Sequence, residues 1–131
     1  YKLGDTVITG ITPGTGASSV LANISAGSGT VKVLKADGTE NTGAVGTGNK
    51  IAVYANGTLV KQYDVVIYGD INGDGKISVV DLVMMQKQIL GTSQLSGAYA
   101  AAADISRDGK VSVKDLVLLQ KHIINAAQIE Q

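Results

Sequence analysis

Asp70-Ile71-Asn72-Gly73-Asp74-Gly75-Lys76-Ile77-Ser78-Val79-Val80-Asp81-Leu82 decides how this chain is read, because it returns 34 residues later as Asp104-Ile105-Ser106-Arg107-Asp108-Gly109-Lys110-Val111-Ser112-Val113-Lys114-Asp115-Leu116. Each copy offers oxygen where a calcium loop needs it. Calcium is a hard cation that gathers about six to eight oxygens at roughly 2.3–2.6 Å. Loop positions 1, 3 and 5 are Asp70, Asn72 and Asp74 in the first copy, and Asp104, Ser106 and Asp108 in the second. Gly75 and Gly109, at position 6, permit the sharp bend that brings those oxygens together. Position 7 supplies a backbone carbonyl, from Lys76 and Lys110, and position 9 supplies Ser78 and Ser112, directly or through water. Position 12 supplies Asp81 and Asp115 in the first turn of a following helix, where negative charge suits the helix dipole. Ile77 and Val111, at position 8, are expected to pair the loops through a short backbone contact. An isolated Asn-Gly-Asp-Gly is more often a solvated turn; two copies in register, each followed by a helix, predict two Ca2+ ions. The second loop also carries Arg107, Lys110 and Lys114, so it is expected to bind the more weakly.

Outward from the loops the spacing is helical. Val79 to Leu90 and Val113 to Ile124 read as helices, with a short Ala-rich helix at Gly97 to Ala103 N-capped by Ser96. Leu82, Met85 and Ile89 share one stripe, matched by Leu116, Leu119 and Ile123, and read as core. Val79, Val83, Gln86 and Leu90 form a second stripe, matched by Val113, Val117, Gln120 and Ile124. A helix that is apolar on two sides needs two things to pack on. One is the opposite helix; the other is either the N-terminal half of the chain or a partner. A 34-residue period also occurs in tetratricopeptide repeats, but those need two helices per unit and have no use for an acidic loop.

Residues 1–68 read as β. Val7 to Ile11, Val20 to Ile24 and Val31 to Leu34 are taken as strands separated by Gly/Ser clusters. Ile51 to Tyr54, Asn56-Gly57 and Leu59 to Tyr68 read as a hairpin with a type I′ turn. Asp37 to Lys50 reads as a long polar loop with a turn at Asp37-Gly38. The predicted fold is thus two modules: an all-β, immunoglobulin-like small sandwich over 1–68, and an all-α module of two calcium loop–helix units over 69–131. With no linker between Tyr68 and Asp70, the two are expected to touch.

Composition narrows the function. The formal charge is zero, with 11 basic and 11 acidic residues, which speaks against a nucleic-acid binder. No apolar stretch approaches the roughly 20 residues of a membrane span. The chain starts abruptly at Tyr1 and reads as a piece of a longer protein. It lacks Cys, Phe and Trp and has 17 Gly and one Pro, so disulfides are excluded and bound metal is the available staple. Six of the 11 carboxylates fall in the loops; Asp5, Asp37, Glu40, Asp64 and Glu130 are scattered and mark no glycosidase pair. His122 is the only histidine and reads as a solvated or interface residue. No nucleophile–base constellation is present, and Gly14 to Gly16 lacks the Lys of a phosphate loop. No catalytic residue is predicted.

A full EF-hand has a helix before its loop and Glu at position 12; here a strand leads in and Asp stands at 12. From Gly69 to Gln131 the sequence resembles the dockerin family, including Leu95, Tyr99 and Ala102-Ala103-Asp104 between the repeats. It departs at Ser106, where the family usually has Asn. The resemblance implies calcium-dependent folding and tight binding to a cohesin module of a scaffoldin or cell-surface anchoring protein, in cellulosome-like, extracellular assemblies. It implies that positions 10 and 11 (Val79, Val80, Val113, Lys114) and 17 and 18 (Gln86, Lys87, Gln120, Lys121) meet the cohesin. With Val83, Leu90, Val117 and Ile124 these form the expected partner face of a module that is monomeric when unbound. The valines look closer to type II-like dockerins, which often follow an X module, a role open to residues 1–68. Similar residues on the two helices imply two docking orientations related by 180°. Two alternatives stand beside this reading: repeats that only stabilise the β half, and a carbohydrate-binding β half. The latter has Tyr1, Tyr54, Tyr63 and Tyr68 but no Trp for a sugar platform.

Overall fold

The computed structural model describes residues 2–3, 6–22, 29–91, 95, 97–124, 129 and 131. Its elements are β1 (Lys2–Leu3), β2 (Val7–Thr9), α1 (Ala17–Ala22), β3 (Thr30–Leu34), β4 (Lys50–Ala55), β5 (Thr58–Val65), α2 (Val79–Leu90), α3 (Gly97–Ala103) and α4 (Val113–Ile123).

The N-terminal part is not an all-β, immunoglobulin-like sandwich. It is one five-stranded mixed sheet in the order β1-β2-β5-β4-β3, with β2 and β5 parallel. A helix, α1, stands where a strand was expected from Val20 onward; residues 23–24 of that expected strand lie outside the described residues. The reason is visible in the pattern. A short apolar run cannot be told from a buried helical turn by periodicity alone, and Ala17 and Val20, three apart, are the two residues that α1 buries. A sandwich needs two sheets with facing apolar surfaces. Here a single sheet packs one core, built from Ile8, Val33, Ile51 and Val65, with Ile11, Ala17, Val20, Val45 and Ile67 closing over it.

The hairpin follows the sequence closely. Asn56 and Gly57 have φ of 53° and 78°, the two left-handed residues of a type I′ turn, and Tyr54 pairs with Leu59 and Ala55 with Thr58. The expected long loop before Lys50 holds no named strand, yet it is not a solvated excursion. Val45 and Thr47 are buried and Asn41 and Asn49 nearly so. Asn41 Nδ2 donates to Asn49 Oδ1 (2.6 Å) and to the Ala44 carbonyl (2.9 Å). Gly43 and Gly46 donate their N–H groups to Asn41 Oδ1 and Asn49 Oδ1. Side-chain amides thus satisfy the backbone polar groups that a buried irregular segment leaves open. We call residues 41–49 the strap.

β5 runs on through Val66 and Ile67, both fully buried, straight into the first acidic loop. A second core lies beyond it, formed by Ile71, Met85, Ala103, Ile105 and Leu119, against which Leu82, Ile89, Leu116 and Ile123 pack. The stripe read as core is therefore core, and α2 packs on α4 through it. Among the described residues no helix is long and apolar enough to cross a membrane.

Candidate metal centres and binding face

Each acidic loop wraps its own carboxylates in backbone N–H groups. In the first, Asp70 Oδ1 accepts from Gly73 (3.1 Å) and Asp74 (3.2 Å), and Oδ2 from Gly75 (2.9 Å). Asp81 Oδ1 accepts from Ile71 and Asn72, and its Oδ2 accepts from Ser78, at 2.8–2.9 Å. Asn72 and Asp74 bond to each other and the Lys76 N–H donates to Asp74. The second loop repeats the scheme with fewer donors. Asp104 accepts from Asp108 and Gly109, Asp108 from Lys110, and Asp115 from Ser106 and Ser112. The Ser106 hydroxyl reaches Asp104 Oδ1 only at 3.5 Å. Gly75 and Gly109 have φ of 82° and 89°, the bend expected at position 6.

The fit to a cation is geometric. One carboxylate oxygen from each of Asp70, Asp74 and Asp81 lies within 4.8 Å of the other two, and the same holds for Asp104, Asp108 and Asp115. Oxygens about 2.4 Å from one calcium ion span at most about 4.8 Å across it, so both clusters match. Electrostatics point the same way. Asp70 and Asp81 have no exposed surface. Burial, and then the neighbouring carboxylates, push Asp70 up to about 6 against the pull of the Thr47 and Gly75 N–H groups. Burial likewise raises Asp81. Buried carboxylates short of positive charge are what a divalent cation relieves. In the second loop Asp108 is fully solvated and is held below the usual range, chiefly by the Lys110 N–H.

One expectation at the loops changes. Among the described residues no backbone bridge joins Ile77 to Val111; both instead pack their side chains into the second core. Ser96, the expected cap of α3, lies outside the described residues. The sequence reading missed the strap. Thr47 donates its N–H to Asp70 Oδ2 at 2.9 Å, and Gly14 donates its N–H to the Gly75 carbonyl at 2.8 Å. The two backbones come together at Gly46 and Gly73, where a β-carbon on Gly46 would overlap the Gly73 carbonyl, a pairing that no local sequence signal announces.

The second helical stripe is open. Val79, Val80, Val83 and Leu90 on α2 and Val113 and Val117 on α4 are exposed, as is Ile124 just past α4. Gln86, Lys87, Lys114, Gln120 and Lys121 are exposed beside them. The N-terminal sheet does not cover this face. His122 accepts the N–H of Ile129 on Nδ1 and so holds Ile129 against α4. Lys32, Lys61 and Arg107 lie over the rings of Tyr54, Tyr63 and Tyr68, and Tyr1 lies outside the described residues.

Residues 68–124 match the family model of the dockerin type I domain. This segment is a dockerin. The match is to type I, not to the type II-like kind that the valines suggested. Two solved dockerins are similar, both the ScaB dockerin of Acetivibrio cellulolyticus in complex with the third cohesin ScaC and displaying a type I interaction. The one mutated in its N-terminal helix is 25% identical, with 50% of this chain and 92% of that chain covered and a TM-score of 0.47. The one mutated in its C-terminal helix is 26% identical, with 50% and 96% covered and a TM-score of 0.45. No curated protein matches the chain. A dockerin is a non-catalytic module, and dockerins bind calcium; the acidic loops of this dockerin are the residues suited to hold it.

Proposed function

We propose that the dockerin, taken as residues 69–131, is a calcium-dependent adaptor that anchors a secreted bacterial protein to a cohesin, in a cellulosome or on the cell surface. The observation that carries this reading is the open apolar face on α2 and α4, which starts at position 10, within each acidic loop and before its last carboxylate. Val79 and Val113 follow Ser78 and Ser112 directly. Fixing the loops therefore fixes the first turn of the face, and a metal ion there pre-organises the surface that a partner meets.

In this reading two Ca2+ ions bind, one per loop. The first is held by Asp70, Asn72, Asp74, the Lys76 carbonyl, Ser78 and Asp81. The second is held by Asp104, Ser106, Asp108, the Lys110 carbonyl, Ser112 and Asp115. The cohesin contacts are Val79, Val80, Val83, Gln86, Lys87 and Leu90 on the first helix. Their counterparts are Val113, Lys114, Val117, Gln120, Lys121 and Ile124 on and beyond the second. The metal does no chemistry; it neutralises the carboxylates and locks the loops. Residues 1–68 are proposed as a companion module that touches the dockerin at its first loop. The deciding experiment is capture of the chain by a panel of immobilised cohesins with calcium and with chelator. Calcium-dependent capture supports the reading; failure to bind any cohesin in calcium, with the fold intact, sinks it.

A further inference from the structure

The two metal loops are equal in sequence pattern and unequal in surroundings. The second is open at its bend, where a β-carbon added at Gly109 would meet nothing within 4 Å. The first is walled by the strap of the N-terminal sheet. There the two backbones touch where both lack side chains. A β-carbon on Gly46 would overlap the Gly73 carbonyl, one on Gly73 would lie 2.5 Å from the Thr47 carbonyl oxygen, and one on Gly75 2.7 Å from that of Val45. Tyr99 of α3 completes the wall, its ring lying against Gly48 and Gly73.

The contact is also chemical. Asp70 Oδ2 takes one N–H from its own loop, Gly75, and one from the strap, Thr47, both at 2.9 Å. Thr47 is itself held, because its hydroxyl bonds both to the N–H (3.1 Å) and to the carbonyl (3.2 Å) of Ile67. The Gly14 N–H meets the Gly75 carbonyl from the other side. None of these groups has a counterpart on Asp104 or Gly109 among the described residues.

We infer that the strap is an outer part of the first metal loop, with Thr47 as a positioning residue for Asp70, so that a cation in that loop and the N-terminal sheet stabilise each other. The inference rests on the calcium reading above. Its logic is linkage: if the strap fixes the first ligand for the ion, the ion must stabilise the strap by the same factor. The second loop, with no such wall, stays outside this coupling.

The test isolates each loop in the full chain. In an Asp115→Ala background, Gly46→Ala is expected to weaken calcium binding by roughly tenfold or more, the range for outer partners of metal ligands. In an Asp81→Ala background the same change leaves the affinity of the second loop as it was. Gly16→Ala is the control, since its β-carbon meets only the Gly43 carbonyl oxygen, at 3.9 Å. Unchanged first-loop affinity in Gly46→Ala overturns the inference. If Gly46→Ala unfolds the chain, amide hydrogen exchange of the Asp115→Ala chain decides instead. Calcium is expected to slow exchange at Thr47 and Gly14 as well as at Gly73 and Gly75. Slowing at Gly73 and Gly75 alone overturns the inference and leaves the calcium reading standing, whereas no slowing at any of the four overturns both.

Discussion

The guanidinium of Arg107 lies over the ring of Tyr68, its carbon 4.1 Å from the ring centroid. Arg107 also has a φ of 61°, a left-handed conformation that costs a non-glycine residue about 1 kcal/mol or more. Its counterpart in the first loop is Gly73, at φ 80°, which adopts that conformation freely. Position 4 of the loop thus demands a left-handed residue, and the second repeat fills it with a side chain that bridges back to the start of the first.

Arg107→Ala and Arg107→Gly separate the two effects. Both lose the stacking, worth about 0.5–1 kcal/mol at an exposed site. Only alanine keeps the backbone strain. The glycine variant is expected to be more stable than the alanine variant by about 1 kcal/mol, read as a difference in the denaturant midpoint at saturating calcium. Equal midpoints for the two variants would show that position 4 carries no strain.

Chelation is the second prediction. Without metal, Asp70 and Asp81 are buried carboxylates facing Asp74, and the loops lose what holds α2 and α4 in place. A ligand at 100 times its Kd stabilises the folded state by about 2.7 kcal/mol per site, a large share of the stability of a small module. Adding chelator is expected to lower the melting temperature by at least several degrees and to reduce the helical circular dichroism. An unchanged melting curve would mean that the acidic loops hold no metal.

Much of this architecture was legible in advance. Asp, Gly and an aliphatic residue recur at matching positions in the two copies, and local oxygen geometry leaves such a pattern little freedom. α2, α4 and their core stripe therefore came out as read, and so did the convergence of the carboxylates in each loop; the backbone contact expected between Ile77 and Val111 did not. The type I′ hairpin came out as read too, because Asn56-Gly57 acts locally. The sandwich did not. Val20-Leu21-Ala22 is too short for its period to separate helix from strand, and the parallel pairing of Val7 with Asp64 and Ile8 with Val65 joins residues that no local signal connects. Asp37 to Lys50, which includes the strap, reads as a long loop because the stretch is polar and Gly-rich, yet Asn41, Thr47 and Asn49 are buried in it. Their burial follows from a hydrogen-bond network that only the assembled sheet creates.

The third prediction ranks the loops. Asp81 accepts three backbone N–H groups and Asp115 two. Among the described residues Asp70 accepts from Thr47, Gly73, Asp74 and Gly75, and Asp104 from Asp108 and Gly109. The first loop is therefore the better ordered before metal arrives, and it lacks the surplus of cationic side chains around the second. Calorimetric calcium titration of Asp81→Ala is expected to remove the tighter of two binding events, and that of Asp115→Ala the weaker. The reverse assignment would show that desolvation of Asp70 and Asp81 outweighs their preorganisation.

The last prediction concerns the open face, whose two halves are close to equivalent. Val79 and Val113 are 58% and 60% exposed, Val83 and Val117 41% and 39%, and Leu90 and Ile124 76% and 71%. A partner that recognises one half finds nearly the same surface on the other, turned by 180°. Val79→Asp with Val83→Asp removes one copy of that surface, and Val113→Asp with Val117→Asp removes the other. These side chains are outside the core, so both double variants are expected to keep their fold and calcium affinity. Each should still bind cohesin, weakened by about tenfold or less, while the quadruple variant should not bind, because a charge buried in an apolar interface without a partner is costly. The main asymmetry is Val80 against Lys114: the face with Lys114 presents a cation where the other presents a methyl pair. A cohesin with an acidic rim should therefore tolerate loss of the first helix better than loss of the second. Titration calorimetry of the four proteins against one cohesin checks this, and complete loss of binding in a single double variant would mean that only one orientation is used.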